Sequence, residues 1–300
     1  RPFLQYAVPM QVQAQTEIAR QIFLKDPNFN IDVALEEFAH PAFQVSSFVG
    51  QIAPLFLLGC AMFPFVIQMN EIVLEKEQKL RQVLSSMGLT EVAYWLSWHI
   101  YQSSMAFIYS LLLSLFGLAF QFEIFKKNDF GVIFITFWLF EQSMIGLAFL
   151  LGAFLRRGAQ AVTVGFALFL VAFIFFFVIT FGFPYGAYRK TAPFSYQFDL
   201  NSKQYVLKSS KGDRAAEPLF SLLPPNLLSK NIADLGALTA TDKNNGIRFS
   251  EAYSYCSINP DLCNPSYSVG NSWKWYIGMY FIYSLIGLYL ENVLPDAMGV

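Results

Sequence analysis

Asn70–Glu91 reads NEIVLEKEQKLRQVLSSMGLTE and lies between two apolar walls. Phe48–Met69 before it carries no charge, and Val92–Phe120 after it is almost wholly apolar. Charged side chains at mid-membrane cost about 2.5–3.5 kcal/mol each on insertion scales, so this stretch has water on at least one side. Within it, Leu80, Val83, Leu84 and Met87 recur at the spacing of one helical face. Glu75 precedes Lys79, and Glu77 precedes Arg81, by one helical turn, an orientation worth about 0.2–0.5 kcal/mol per pair. The spacing predicts an amphipathic helix over 71–90, with Gly88 as its C-terminal cap and Thr90 capping the helix that follows. Two readings of that helix stand at this point. It is a linker lying on the lipid surface, or it is a docking surface through which a soluble engine moves a membrane domain.

The rest of the chain supports a membrane setting. Of its 300 residues 55% are hydrophobic, 33 of them Phe, and 14% are charged, against about 25% in average soluble domains. The mean hydropathy is +0.42. A net charge of −1 gives no basic surface for nucleic acid. Five apolar segments are long enough for a hydrocarbon core of roughly 30 Å, which takes about 20 helical residues. They are 49–69, 93–120, 131–155, 159–183 and 273–291. Their apolar runs are continuous rather than alternating, which excludes barrel strands and leaves helices.

Short loops orient the spans. Lys76, Lys79 and Arg81 in 70–91, with Arg156 and Arg157 in the next loop on the same side, outnumber Lys126 and Lys127 in 121–130. The charged stretch is therefore expected in the cytoplasm, and 184–272 outside it. Cys256 and Cys263, spaced CSINPDLC, fall in that exported segment, where a local disulfide is expected. Two free thiols, or partners upstream of Arg1, are the other readings. A metal site is not expected, because neither of the two His is near the pair. Residues 1–48 precede an outside-to-inside span and are expected to be exported too. There, TEIARQIFL has Ile18, Ile22 and Phe23 on one helical face before DPNFNID interrupts it. The chain begins at Arg1, so a fragment of something larger is expected.

Glu141 and Gln142 fall near the middle of the third span. Each serves either a helix–helix hydrogen bond or a polar step in a headgroup path. His99, between Trp98 and Tyr101, is expected in an aromatic interface belt. Pro54 and Pro64 are expected to bend the first span. The dense apolar run Phe166–Phe183 is expected to contact lipid. EPLFSLLPPNLLSKNIADL, 217–235, is apolar but too short and broken to cross, and 199–216 reads as a solvated loop.

EIVLEKEQKLRQVLSSMGL resembles the first cytoplasmic loop of the A subfamily of ABC transporters, and the aromatic-rich span beginning AYWLSWHIY follows it as in that family. FSLLPPNLL (220–228) resembles the family's exported segment before the last span, and 276–291 resembles that span. LYLENVLPDAMGV (288–300) resembles the exit toward the nucleotide-binding domain, except that Asp296 stands where the family has Gly after Pro. The resemblance implies an all-α membrane protein of the type-two exporter kind, holding spans two to six of a six-span half. It divides the chain into the end of an exported domain (1–48), spans two to five with a coupling helix at 71–90 (49–183), an exported segment with a re-entrant helical hairpin (184–272), the last span (273–291) and a cytoplasmic exit (292–300). It also implies an ATP-driven mover of lipid or sterol, with Glu75, Lys76, Glu77, Lys79, Arg81, Leu84, Met87 and Gly88 coupling to ATPase domains. Arg156 and Arg157 are expected to anchor topology, with a second engine contact as the other reading. No G-x-x-x-x-G-K-[ST] phosphate cradle occurs in the 300 residues. ATP and Mg are thus expected in a nucleotide-binding domain beyond Val300 or in another chain, the further partners being membrane lipid and a second transmembrane half. A permease for a drug or glycoconjugate, and a scaffold without transport, are the alternatives. The expected location is the plasma membrane or an endomembrane.

Overall fold

The computed structural model describes residues 2–18, 20–21, 48–180, 183–185, 196–199, 204–207, 216–239, 246–255 and 265–293. Cys256, Cys263, Ile22, Phe23 and the exit from Leu294 onward lie outside the described residues. The chain divides into two units, Arg1–Val45 and Ser46–Val300. The first contains helix α1, Pro2–Ile18.

The second unit is a helical bundle. Its long helices are α2 (Phe48–Glu77), α4 (Glu91–Ala119), α6 (Phe130–Gly152) and α7 (Gly158–Thr180). Stretches 54–77, 91–119, 130–152 and 158–180 of these are the four helices long and apolar enough to cross a membrane. The fifth expected span forms a longer helix than 273–291, α10, Val269–Val293. It is not among those four, because Trp273, Trp275, several tyrosines, Lys274 and Glu291 dilute its apolar character. Short helices connect the spans: α3 (Leu80–Ser86), α5 (Glu123–Lys127), α8 (Ala216–Ser221) and α9 (Pro224–Ala237). Strands β1 (Tyr196–Asp199) and β2 (Gln204–Leu207) pair antiparallel, with Tyr196 opposite Leu207. Part of the expected loop 199–216 is therefore strand, where Gln-Tyr-Val-Leu supplies β-branched and aromatic residues.

α6 is the centre of the bundle and packs against α2, α4, α9 and α10. Its span is 78% buried inside the protein, whereas that of α7 is 22% buried. Small residues bring α6 and α10 close. A Cβ added at Gly146 would stand 2.8 Å from the Tyr280 carbonyl oxygen, and one at Gly287 would stand 2.9 Å from the Leu150 nitrogen. In lipid, close backbone approach through such residues is how apolar helices gain packing, since tails are as apolar as side chains. α2 runs unbroken through Pro54 and Pro64 and buries Leu58, Met62, Phe65, Met69 and Val73 on one face. Phe56 and Phe63 point away from it. α7 likewise presents Phe166, Leu170, Ile174 and Phe177 outward, with Gly165 against Val66 and Met69 of α2.

α8 and α9 form the expected helical hairpin, turning at Leu222–Leu223 with Pro224 opening α9. Proline suits that first position because its missing N–H would find no helical partner there. α9 is enclosed by α2, α6, α7 and α10, and Leu227, Leu228, Ile232 and Leu235 are buried.

Candidate coupling interface

The charged stretch is not one helix. Its first part, Asn70–Glu77, continues α2, and the chain then breaks at Lys79, which adopts a left-handed backbone with φ of 56°. α3 follows as a separate short helix. The break displaces residues 79–81 from the helical turn above 75–77. Among the described residues, neither the Glu75–Lys79 pair nor the Glu77–Arg81 pair forms. Each charge has a different role.

Glu77 reaches the start of α7, where its Oε2 accepts the Gly158 N–H at 2.7 Å. The first amides of a helix lack partners, and the helix dipole favours an anion there. Lys76 donates to the Ala153 carbonyl at the end of α6, at 3.2 Å, and lies 3.1 Å from Glu291 at the end of α10. Arg81 pairs with Glu91 at 3.0 Å, and its guanidinium stands over the Trp95 ring at 5.3 Å. Glu291 is also 3.9 Å from Arg81. These contacts tie the ends of α2, α4, α6, α7 and α10 together around the break. Of the predicted coupling residues, Lys76, Glu77 and Arg81 thus bind neighbouring helices of this chain. Glu75 is half-buried, with one carboxylate oxygen enclosed and unpartnered.

Of the other four, Lys79, Met87 and Gly88 are exposed and Leu84 is half-buried. No residue of α3 is buried, and Leu80, Val83 and Met87 present an uncovered apolar face. The helix ends as the Met-Gly-Leu sequence predicts. Gly88 has φ of 93°, its N–H bonds to the Ser85 carbonyl, and the Leu89 N–H bonds to the Leu84 carbonyl. That pair of bonds is a Schellman ending, which needs a left-handed residue and favours glycine. Thr90 stands at the N-cap of α4 in extended backbone, but its hydroxyl makes no cap bond.

Within the spans, Gln142 Oε1 accepts from Ser103 Oγ at 2.9 Å, a bond between α6 and α4. The Gln142 Nε2 is enclosed and has no partner among the described residues. Glu141 is 3% exposed, and its Oε2 has no partner. The His99 ring packs on Phe149 and its Nδ1 lies 3.1 Å from the Tyr280 hydroxyl, so it faces α6 and α10. The pairing partner is on a helix distant in sequence, which local aromatic composition does not reveal.

At the opposite end of the bundle, α9 carries a buried polar cluster that sequence reasoning missed. Lys230 pairs with Asp234 with both side chains enclosed. Asp234 also accepts the Tyr255 hydroxyl at 2.7 Å, and the same hydroxyl accepts the Val269 N–H. Asn231 donates to Tyr276 and accepts from Ser272, both on α10. The signal present in the sequence was Lys230 and Asp234 at helical spacing, interleaved with Leu227, Leu228, Ile232 and Leu235.

The fold joins apolar helices, an enclosed broken hairpin and an exposed helix at one end of the bundle. Residues 5–289 match the family described as ABC-2 family transporter protein, and the chain belongs to it. It is similar to three Arabidopsis thaliana proteins: ABC transporter A family member 2 (37% identical), member 9 (38%) and member 11 (36%). Each alignment covers 100% of this chain but only 28–29% of the relative. ABC transporter A family member 1 of Dictyostelium discoideum is 27% identical over 82% of this chain and 26% of its own length. The chain spans less than a third of the length of these A family relatives.

Proposed function

We propose that the whole protein is an ATP-driven mover of lipids or sterols between bilayer leaflets, in which α3 receives the push of a nucleotide-binding domain. The observation that carries this reading is the uncovered face of α3. Met87 is 77% exposed and Val83 47%, although both flanks of the helix are pinned to the bundle. An apolar face held rigidly in water fits a protein partner better than solvent. Force on α3 would pass through Lys76, Glu77 and Arg81 to the ends of five spans at once. The basic loops support a cytoplasmic position for this end. ATP and Mg would be held by the nucleotide-binding domain, and a second transmembrane half would complete the translocation path.

The test uses the full-length protein in vesicles. Val83→Asp with Met87→Asp is expected to lower nucleotide-driven lipid movement about tenfold or more, because a charge in an apolar contact costs at least the roughly 1.4 kcal/mol that a tenfold change represents. Insertion and thermal stability should not change, since both residues are exposed. Undiminished lipid movement would overturn the lever. A wild-type protein that hydrolyses ATP and moves no lipid would overturn the substrate class.

A further inference from the structure

We infer that the same end of the bundle holds a site for the phosphate of an anionic lipid headgroup, separate from any cargo path. A cavity of about 390 Å³ opens there between α2, α3, α4, α6 and α10. Five cations line it, Lys76, Lys79, Arg81, Arg156 and Arg157, against the carboxylates of Glu77 and Glu291. Both carboxylates are already engaged. Glu77 caps α7, and Glu291 is shared by Lys76 and Arg81. Glu91, just outside the cavity, is taken by Arg81, and Glu75 does not line the cavity. Lys79, Arg156 and Arg157 make no side-chain ion pair or hydrogen bond among the described residues, and all three are exposed. Three unneutralised cations therefore converge on one opening.

The surroundings select a lipid over a soluble anion or an acidic protein segment. The inner wall is Ile72, Phe149 and Trp95, side chains from the ends of membrane spans. The Trp95 indole N–H is enclosed without a hydrogen-bond partner. On α4 next to it, Val92 and Leu96 are exposed, a surface suited to acyl chains. Tryptophan at the boundary and arginine or lysine at headgroup level are how a protein holds an anionic lipid. A phosphate monoester carries about −1.5 to −2 charges, which the three free cations would meet. Occupied, the site would join the Lys79 break to the Arg156–Arg157 turn and stiffen the base of α3.

The inference rests on the orientation proposed above but not on lipid being the cargo. Its test is retention of lipid by the purified full-length protein, read by native mass spectrometry, with phosphatidylinositol 4-phosphate and phosphatidylcholine of matched chains as probes. Wild type is expected to keep the phosphoinositide and lose the phosphatidylcholine. Lys79→Gln, Arg156→Gln and Arg157→Gln together should lower retention about a hundredfold, each surface cation being worth about a factor of five. Lys126→Gln, at the opposite end, should leave it unchanged. Should the triple variant assemble poorly, Lys79→Gln alone serves, with a loss of several-fold expected. Equal retention by wild type and variant, or equal retention of both lipids, would overturn the site. So would full displacement by excess inorganic phosphate, which would make it a free-anion site. Loss of nucleotide-binding-domain association with unchanged lipid retention would make it a protein contact and overturn it equally. Selective retention by a protein that moves no lipid would sink the transport reading and leave this one standing.

Discussion

The Glu77 carboxylate caps α7 from a different helix: its Oε2 accepts the Gly158 N–H at 2.7 Å, across 81 positions of sequence. One bond thereby fixes the end of α2, next to the Lys79 break, to the start of a 23-residue span. Glu77→Ala should lower stability by about 1–2 kcal/mol, the range for a lost cap that leaves an orphan amide. Glu77→Gln keeps an acceptor oxygen and should recover about half of that, losing the charge–dipole part. Thermal unfolding in detergent distinguishes the two. Equal melting temperatures for wild type and Glu77→Ala would show that water caps α7 as well.

Gly146 has a different sensitivity. The α6–α10 contact closes on it, with Tyr280 backbone at 2.8–3.2 Å from a built Cβ and Ser284 Oγ at 3.3 Å. The near atoms are backbone, so neither helix can yield by turning a side chain. Gly146→Leu should separate the helices and cost about 1–3 kcal/mol as overpacking. Gly278→Leu on α10 is the control, because nothing lies within 4 Å of its Cβ position. A Gly146→Leu protein that melts with the control would mean that the helix pair slides to accommodate the change.

These contacts explain what the sequence could and could not convey. Span positions were legible because continuous apolar length is the membrane requirement itself. Rank within the bundle was not. α6 and α7 read alike as apolar runs, yet their spans are 78% and 22% buried, because apolar side chains suit lipid and protein equally. The Met-Gly-Leu ending of α3 was legible, since a left-handed cap position selects glycine chemistry. The break at Lys79 was not, because a lysine there satisfies helical spacing, and long-range partners such as Gly158, Glu291 and Glu91 decide the geometry. Glu77 and Arg81 bind the distant Gly158 and Glu91, and not the local partners that helical spacing assigns to them.

Lys230 and Asp234 predict a strong asymmetry between single and double changes. Both side chains are enclosed, at 1% and 0% exposure, and Tyr255 bonds to the same carboxylate. Asp234→Leu leaves a buried ammonium without its partner and should cost about 3–5 kcal/mol. Lys230→Met with Asp234→Leu removes both charges at similar volume and should be closer to wild type by several of those kcal/mol. A double-mutant cycle on thermal or denaturant unfolding reads the coupling directly. Additive losses would show that the pair is not coupled across the α9 interior.

Gly88 offers the narrowest test of how α3 is held. Nothing lies within 4 Å of a Cβ added there, so substitution meets backbone strain and no collision. Its φ of 93° is costly for alanine, by about 1–2 kcal/mol, and less so for asparagine, which visits the left-handed region more readily. Gly88→Ala should therefore fray the last turn of α3, whose closing bonds are Gly88 N–H to Ser85 and Leu89 N–H to Leu84. Amide exchange across 84–89 should quicken about fivefold or more, in keeping with local opening that tracks its own free energy. Gly88→Asn should fall between alanine and wild type. Exchange in the distant span α10 should be the same in all three proteins. A uniform change along the chain would place the effect in global stability, whereas a change confined to 84–89 would locate it at the cap that holds the exposed Leu80–Val83–Met87 face in shape.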